Sequence, residues 1–458
     1  MCLFLLAVIH ATVDFAALAD NYIARPNVIF IMADDLGWGD VGYHGSNIET
    51  PNIDRLAERG VHLDQFYVQP VCSPTRASLM TGRYPIRYGL QCGVVRPWAE
   101  HGLPLDEQML TTALCDAGYV TAICGKWHLG HIAPAYLPTR RGFLHQYGHY
   151  NGALDYFTHE RDGGHDWHRN DKAVYEQGYT TDLLGREAAH VLATHDKSKP
   201  LFLYVPFNAP HTPLQAPDET IAKYKGMKNQ QRRVYAAMVD RMDQAVGTIV
   251  SALKQHDFPA ERTLIFFCSD NGGIPSLGSN RELRDGKGSL YEGGVRVPAI
   301  AVWDGVLTPS KHTNEALHIV DIYPTVLSLA GIEVNQKRPL DGRNAWATIA
   351  EGKPSPHEYI LHNVTPFHGA IRVGDWKLIH NGSISANATS AAENETWELF
   401  NIRQDISEKQ DLRQQEPEIF KRLQQQLGRL SEAAVSANIP PNQAPAGFRV
   451  PKVWGEQD

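Results

Sequence analysis

Long apolar runs are scarce in this chain, and that scarcity argues against a membrane-spanning helix. The run Leu3 to Ile9 is too short to cross a bilayer, and nothing later is long and apolar enough to serve. Cysteine is scarce too, with six in 458 residues and no Cys-x-x-Cys pair, which points away from a zinc ribbon and from a disulfide scaffold. Surplus positive charge is also lacking. With 43 Lys and Arg against 51 Asp and Glu, the formal net charge is -8, which argues against general attraction to nucleic acid or an anionic membrane. An anionic substrate is still allowed, because a local cluster of Arg, Lys and His can make one cleft positive inside an acidic protein.

What is present fits a globular protein. Hydrophobic residues make up 43% and charged residues 21%, and the length suits one large domain with a smaller one. Ala17-Leu18-Ala19, after the Leu3 to Ile9 run, has the small-x-small form of a signal-peptidase site. Residues 1–19 are therefore expected to be a signal peptide, although no Lys or Arg precedes the apolar run. Export follows from it, to a periplasm, to the medium, or to a lysosome in a eukaryote. Setting aside Cys2 and Cys72 leaves Cys92, Cys115, Cys124 and Cys268. Cys268 lies in an apolar strand and reads as a reduced core residue, while Cys115 and Cys124 flank a predicted turn and strand and are open to pairing or to staying free.

Several buried-strand patterns end in polar residues. Pro26 to Ala33 is a near-continuous apolar run, as expected of a strand covered on both faces of a parallel sheet, and it ends in Asp34-Asp35. Tyr119 to Cys124 leads to Lys126 and His128, Leu201 to Val205 leads to His211, and Thr263 to Cys268 leads to Asp270 and Asn271. In open α/β sheets, ligands bind beyond the C-terminal ends of the strands, so this pattern gathers all seven residues in one cleft. Three carboxylates and an amide oxygen suit a hard divalent cation, whereas zinc prefers more His or Cys. Each residue alone has a blander reading: an Asp-Asp pair is commonly a helix cap or polar turn, and a single Lys or His is commonly a solvated one.

The segment Cys72 to Arg83 reads as a short helix with Pro74 in its first turn. Cys72 would then sit at the positive end of the helix dipole, near Arg76 and Arg83, where a thiol pKa is lowered. The competing reading is an inert buried cysteine.

Cys72-Ser73-Pro74-Thr75-Arg76, continuing to Thr81-Gly82-Arg83, resembles the Cys-x-Pro-x-Arg signature of the type I sulfatases, whose cysteine is oxidised to Cα-formylglycine. Similar stretches recur in the family's order: Asp34-Asp35 with Gly37-Trp38-Gly39-Asp40, Thr50 to Ala57, Gly125 to Gly130, and Gly286 to Pro298. Leu137 to Phe143, Asp155 to Arg161 and Val453 to Gly455 are most similar to the arylsulfatase B (N-acetylgalactosamine-4-sulfatase) branch. The resemblance implies an α/β fold: an alkaline-phosphatase-like large domain with a mostly parallel mixed sheet flanked by helices, over residues 20–345. A smaller C-terminal subdomain, 346–458, would carry an antiparallel sheet and a helix.

The resemblance also implies chemistry. Calcium, with magnesium as the alternative, would be held by Asp34, Asp35, Asp270, Asn271 and the modified residue 72. Formylglycine at position 72, installed by a separate maturation enzyme, would be hydrated to a gem-diol that attacks sulfur. Lys126 and Lys287 would bind the sulfate, Arg76 would orient residue 72, and His211 would protonate the leaving oxygen. His128 would take the proton that lets the aldehyde re-form. The implied substrate is a sulfated sugar of a glycosaminoglycan or another polysaccharide, with Arg96, Trp98, His101, His159, Arg161 and His368 as candidate cleft residues. Two alternatives stand beside it: a phosphoester or phosphonate hydrolase on the same fold, and a noncatalytic glycan-binding descendant that keeps its thiol.

Further along, apolar residues from Tyr235 to Leu253 mark one face of a helix, and a helix is expected between Thr313 and Gly331. Strands are expected at Gly369 to Val373, Trp376 to Ile379 and Glu398 to Ile402, with an amphipathic helix from Glu416 to Ala434. The polar insert Asn381 to Thr396, with Asn-x-Ser/Thr sites at Asn381, Asn387 and Asn394, reads as an exposed hairpin loop. Nothing in the sequence fixes an oligomeric state.

Overall fold

The strand Asn27–Ala33 sets the architecture, because its alternate side chains enter two different cores. Val28, Phe30 and Met32 face one cluster, and Ile29, Ile31 and Ala33 the other. A strand covered on both faces has no polar face to show water, which is why it reads as an uninterrupted apolar run. The structure is a computed structural model that describes residues 25–365, 367–382, 395–438 and 441–456. The expected signal peptide and the sites at Asn387 and Asn394 lie outside the described residues.

Around this strand lies a ten-stranded sheet. Its centre is five parallel strands in the order Thr263–Ser269, Asn27–Ala33, Leu201–Pro206, Val120–Lys126 and His145–His149. On one side Ala299–Val302 adds antiparallel to Thr263–Ser269, followed by Val61–Leu63 and then Lys311–Thr313. On the other, His168–Arg169 and Lys172–Ala173 close the sheet. Helices Pro51–Arg59, Thr180–Thr194 and Gln230–Gln255 cover one face, and Cys72–Thr81, Leu110–Asp116 and Ile322–Leu329 the other. The expected mostly parallel mixed sheet between helical layers is therefore present.

Distant residues shape several local details. Thr50 precedes the helix Pro51–Arg59 without capping it. Its hydroxyl bonds to Asp54 instead, and Asp243 of the long helix accepts from the backbone N–H groups of Asn52 and Ile53, supplying the carboxylate that a helix N-terminus favours. Thr313 to Gly331 is not one helix. Lys311–Thr313 and Leu317–His318 pair as strands with Val61–Leu63 and Phe66–Tyr67, and the helix proper is Ile322–Leu329. All five cysteines in the described residues are free, so Cys115 and Cys124 do not pair.

The C-terminal sheet, Ile360–His362, Gly369–Val373, Trp376–His380 and Trp397–Asn401, is antiparallel throughout. Leu361, Ile371, Leu378 and Leu399 on one face pack against Leu423 and Leu427 of the helix Pro417–Glu432. The helix Trp346–Glu351 contributes Ile349 to the large domain's core. A buried charge cluster ties the two parts together: Lys377 lies 2.9 Å from both Glu292 and Glu408, while Glu292 accepts from Tyr67 at 2.7 Å. Glu292 follows the Lys287 loop and Tyr67 precedes Cys72, so the small sheet braces both approaches to the cleft. At the hairpin, Asn381 is buried. Its amide donates to the Phe367 carbonyl and its Oδ1 accepts from the Thr396 N–H, so this Asn-x-Ser side chain is already engaged inside the fold. Among the described residues, no helix is long and apolar enough to cross a membrane.

Candidate active site

The five parallel strands bring their polar ends to one rim. Asp34 and Asp35 follow Ala33, Asp270 and Asn271 follow Ser269, and Lys126 ends its strand with His128 just beyond. The helix Cys72–Thr81 starts against this rim, with Cys72 as its first residue and Pro74 in its first turn. Asp35 and His128 both adopt left-handed backbone, with φ of 66° and 59°, an uncommon state for residues other than glycine that concentrates at functional sites.

Asp34 is the hub. It is fully buried and takes Lys126 Nζ at 2.5 Å and Arg76 Nη2 at 3.2 Å on Oδ2, with Cys72 Sγ 3.6 Å from Oδ1. Arg76 also reaches Asp270 at 2.8 Å through Nη2 and donates to the Lys126 carbonyl through Nη1. Lys287 Nζ lies 2.7 Å from Asp35 Oδ1, which also accepts from Asn271 Nδ2 at 2.7 Å. His211 Nε2 stands 3.7 Å from Asp35 Oδ2, and its Nδ1 faces the Thr212 carbonyl at 2.6 Å. His128 Nε2 is 3.0 Å from the Val95 carbonyl, while Nδ1 is buried without a partner. Gly152 lies against that ring, and a Cβ there would come within 2.5 Å of it. At Gly272 a Cβ would meet the Gly293 carbonyl at 1.7 Å, so only glycine lets the loop beyond Lys287 close on Asn271.

These contacts set the ionisation states. Burial raises the Asp35 carboxyl, but Lys287 and then His211 outweigh it, leaving a pKa of about 2. Burial and the Asp34 charge raise Asp270. Burial and the charge of Lys287 push His211 down to about 3, and burial with Lys126 holds His128 far below its usual range. Both imidazoles are neutral in the ligand-free site.

The Cys72 thiol departs from expectation. Burial, then the Asp270 charge, drives its pKa well above the usual thiol value despite Lys126 and Lys287. Arg76 is committed to Asp34 and Asp270, and Arg83 to Glu107 at 3.4 Å. The expected lowered pKa is therefore corrected: the bare thiol stays protonated and is a poor nucleophile.

Donor chemistry allows a cation here. Asp34, Asp35, Cys72 and His211 offer ligand atoms all within 4.8 Å of one another. Asn271 Oδ1 is buried with no hydrogen-bond partner, as an oxygen meant for a metal would be. Asp270 lies outside that group, with its Oδ2 bonded to Arg76, and the oxygens of Asp34, Asp35 and Asn271 are donors that suit a hard divalent ion.

The cavity over Cys72 has a volume of about 330 Å³ and is lined by Val95, Arg96, Pro97, His128, Gly152, Arg161, His211 and Lys287, among others. A larger cleft of about 630 Å³, at the junction with the C-terminal sheet, contains none of the groups around Cys72. Of the candidate substrate contacts, only Arg96 and Arg161 line the cavity. Trp98 Nε1 donates to the Pro441 carbonyl. His101 has a buried Nε2 outside the lining. His159 is buried, stacked on Trp167 and directed to the Gly178 carbonyl. His368 is buried beside the Asn381 carbonyl in the small subdomain. Sequence reasoning missed the loop around Val95, which holds His128, and Gly152; an isolated valine or glycine carries no signal of such a role.

Comparison with known proteins agrees with this geometry. A sulfatase family model matches residues 26–332, and a model of the N-sulphoglucosamine sulphohydrolase C-terminal region matches 285–433. Arylsulfatase J of Mus musculus is 39% identical over 94% of this chain and 80% of its own length. Human N-acetylgalactosamine-6-sulfatase is 33% identical over 72% of this chain and 66% of its own. Among solved structures, Ps i-CgsB in complex with k-i-k-neocarrahexaose superimposes with a TM-score of 0.82 at 36% identity, covering 90% of this chain and 94% of that one. A phosphonate monoester hydrolase of Agrobacterium radiobacter, at 20% identity and a TM-score of 0.64, shares the alkaline-phosphatase-like fold alone. With a family model covering well over half its length and curated relatives matching most of it, this chain belongs to the sulfatase family and is a sulfuric ester hydrolase.

Proposed function

We propose that this enzyme removes sulfate from a sulfated sugar of a glycosaminoglycan or a related polysaccharide, with an N-acetylgalactosamine 4-sulfate-like group as the leading candidate. The observation that carries the reading is the arrangement around Cys72, which lines a cavity of about 330 Å³ together with His128, His211 and Lys287, while Lys126, Arg76 and the oxygen donors of Asp34, Asp35, Asp270 and Asn271 lie buried behind it. The N-acetylgalactosamine-6-sulfatase relatives and the carrageenan-oligosaccharide complex of a similar protein support a carbohydrate substrate.

The family signature Cys72-Ser73-Pro74-Thr75-Arg76 supports Cα-formylglycine at position 72, formed by a separate maturation enzyme, as the nucleophile. Hydrated, that aldehyde would supply one hydroxyl to attack sulfur and a second whose deprotonation would expel sulfate. A divalent cation, calcium with magnesium as the alternative, would be held by Asp34, Asp35, Asp270 and Asn271 and would supply Lewis acidity.

The chain's own residues do the rest. Lys126 and Lys287 hold sulfate oxygens, so the charge that grows in the transition state meets fixed cations. Arg76, locked between Asp34 and Asp270, fixes the helix start that carries residue 72. His128 is neutral with a free buried Nδ1, the state required of a base that takes the proton from the second hydroxyl. His211 faces the open side of the cavity. The negative charge of a bound sulfate ester raises its proton affinity, fitting it to protonate the leaving oxygen. The enzyme is exported, in keeping with the signal-like start of the sequence.

The test is a panel of positionally defined sulfated sugars and matching aryl phosphates. Desulfation with preference for a 4-sulfated galactosamine is expected. Turnover of phosphate esters alone would overturn the proposal.

A further inference from the structure

The cavity over Cys72 carries more positive charge than one sulfate ester requires. Lys287 in its lining is matched by Asp35, and the cations buried behind it are matched too, Lys126 by Asp34 and Arg76 by Asp34 and Asp270. Arg96 and Arg161 line the same cavity, and no carboxylate does. Arg96 Nη2 donates to the neutral Oδ1 of Asn442 at 3.0 Å. Arg161 Nε lies 3.1 Å from Asp162 Oδ2, whose side chain is 43% exposed and largely solvated. Burial, and then the Arg161 charge, lowers the pKa of Arg96.

The fold holds these like charges together from behind. The C-terminal tail returns to the large domain, where Trp454 Nε1 donates to the Arg161 carbonyl at 2.9 Å. The same tail exchanges backbone bonds with His165, from His165 N to the Lys452 carbonyl and from Trp454 N to the His165 carbonyl, both at 2.9 Å. Its other end meets the Arg96 loop, where Trp98 Nε1 donates to the Pro441 carbonyl at 2.7 Å. Phe448 bridges the two attachments, with ring centroids 6.2 Å from Trp98 and 6.3 Å from Trp454. One strap thus fixes the backbone beneath both arginines, which lowers the ordering cost of a shared ligand.

We infer that Arg96 and Arg161 form a second anion subsite, which takes a carboxylate or a further sulfate carried by the substrate beside the sulfate being cleaved. Guanidinium groups suit both oxyanions because their planar donors match the paired oxygens. This inference rests on the sulfatase reading and narrows it: the substrate is a glycan with at least two negative charges near the cleavage point. Trp98 and Trp454 are positioning residues that act through the arginine backbones.

The experiment compares kcat/KM for three saccharides that share one scissile sulfate: one otherwise neutral, one with a neighbouring uronate carboxylate, and one with a neighbouring second sulfate. The wild-type enzyme is expected to favour at least one dianionic sugar by roughly tenfold or more, mainly through KM. That preference falls as salt is raised. Arg96→Gln and Arg161→Gln bring the ratio toward one, and Arg161→Lys retains part of it. Misfolding lowers both rates in a preparation and leaves their ratio, so the ratio reports the subsite. Equal kcat/KM on all three sugars, or a preference that survives both glutamine variants, overturns the inference. Failure to hydrolyse any sulfate ester would instead overturn the sulfatase reading beneath it.

Discussion

Replacing Lys287 by methionine should expose how much of the site is held by charge. Lys287 Nζ lies 2.7 Å from one Asp35 oxygen and 2.8 Å from the other, while Asp35 is 1% exposed. At 2.7 Å and an effective dielectric near 20, the attraction is about 6 kcal/mol, an upper bound before the desolvation cost. Burial, Lys287, His211 and Asn271 together leave the Asp35 pKa lowered from 3.8 to about 2, which favours the ionised form by roughly 2–3 kcal/mol. Lys287→Met leaves that carboxylate buried beside Asn271 and His211 without its cation. We expect metal-free protein to lose about 3 kcal/mol at pH 7, or roughly 3–4 °C in Tm.

The sign with pH follows from linkage. Asp35 has a folded pKa below its unfolded value, so its contribution is complete above about pH 4 and fades as pH falls through about 2. A protonated carboxyl needs no lysine, so the gap between wild type and variant narrows as pH falls from about 5 toward 2. Adding calcium at pH 7 narrows it too, because the cation replaces the lost lysine charge. Thermal melts in chelator and in calcium, across this pH range, test all three arms. A gap that is absent, or that is constant with pH, would refute the electrostatic account of the site.

Other outcomes follow from the same geometry. Gly152→Ala drives a methyl group into the His128 ring and should cut kcat roughly 10²-fold, as steady-state kinetics would show. Ile31→Ala opens a cavity under a fully buried central strand and should cost about 2–5 kcal/mol in urea unfolding. Burial, opposed by Lys377, raises Glu408 to about 7 from 4.5. The fold therefore holds that proton more tightly than the unfolded chain, and stability declines as pH rises from about 4.5 through about 7. Glu408→Gln should flatten that decline in urea midpoints measured over the same range.

The central strands and their polar ends were legible because two-sided burial leaves a continuous apolar run that stops where the rim begins. Asp34, Asp35, Asp270 and Asn271 could be gathered from that pattern alone. The Cys72 thiol was misread because its helix position and Arg76 are visible in sequence, whereas burial and the Asp270 charge are not. Trp98, His159 and His368 illustrate the same limit: polar aromatic residues in loops look alike until tertiary packing decides which turn inward. The Glu292, Lys377 and Glu408 cluster joins residues more than eighty positions apart, and the strap from Trp454 to Arg161 spans nearly three hundred. No local pattern reports contacts of that range. Leu317–His318, inside the expected helix, became a strand through pairing with Phe66–Tyr67, a tertiary partner that a local helix pattern does not reveal.

The account depends most directly on the chemical identity of residue 72 in active enzyme. Mass spectrometry of the peptide that contains it, from a preparation whose turnover of a sulfated sugar has been measured, decides the matter. Conversion of the thiol to an aldehyde predicts a peptide about 18 Da lighter, in a fraction that tracks specific activity. Full turnover from protein whose residue 72 is an intact cysteine would contradict it.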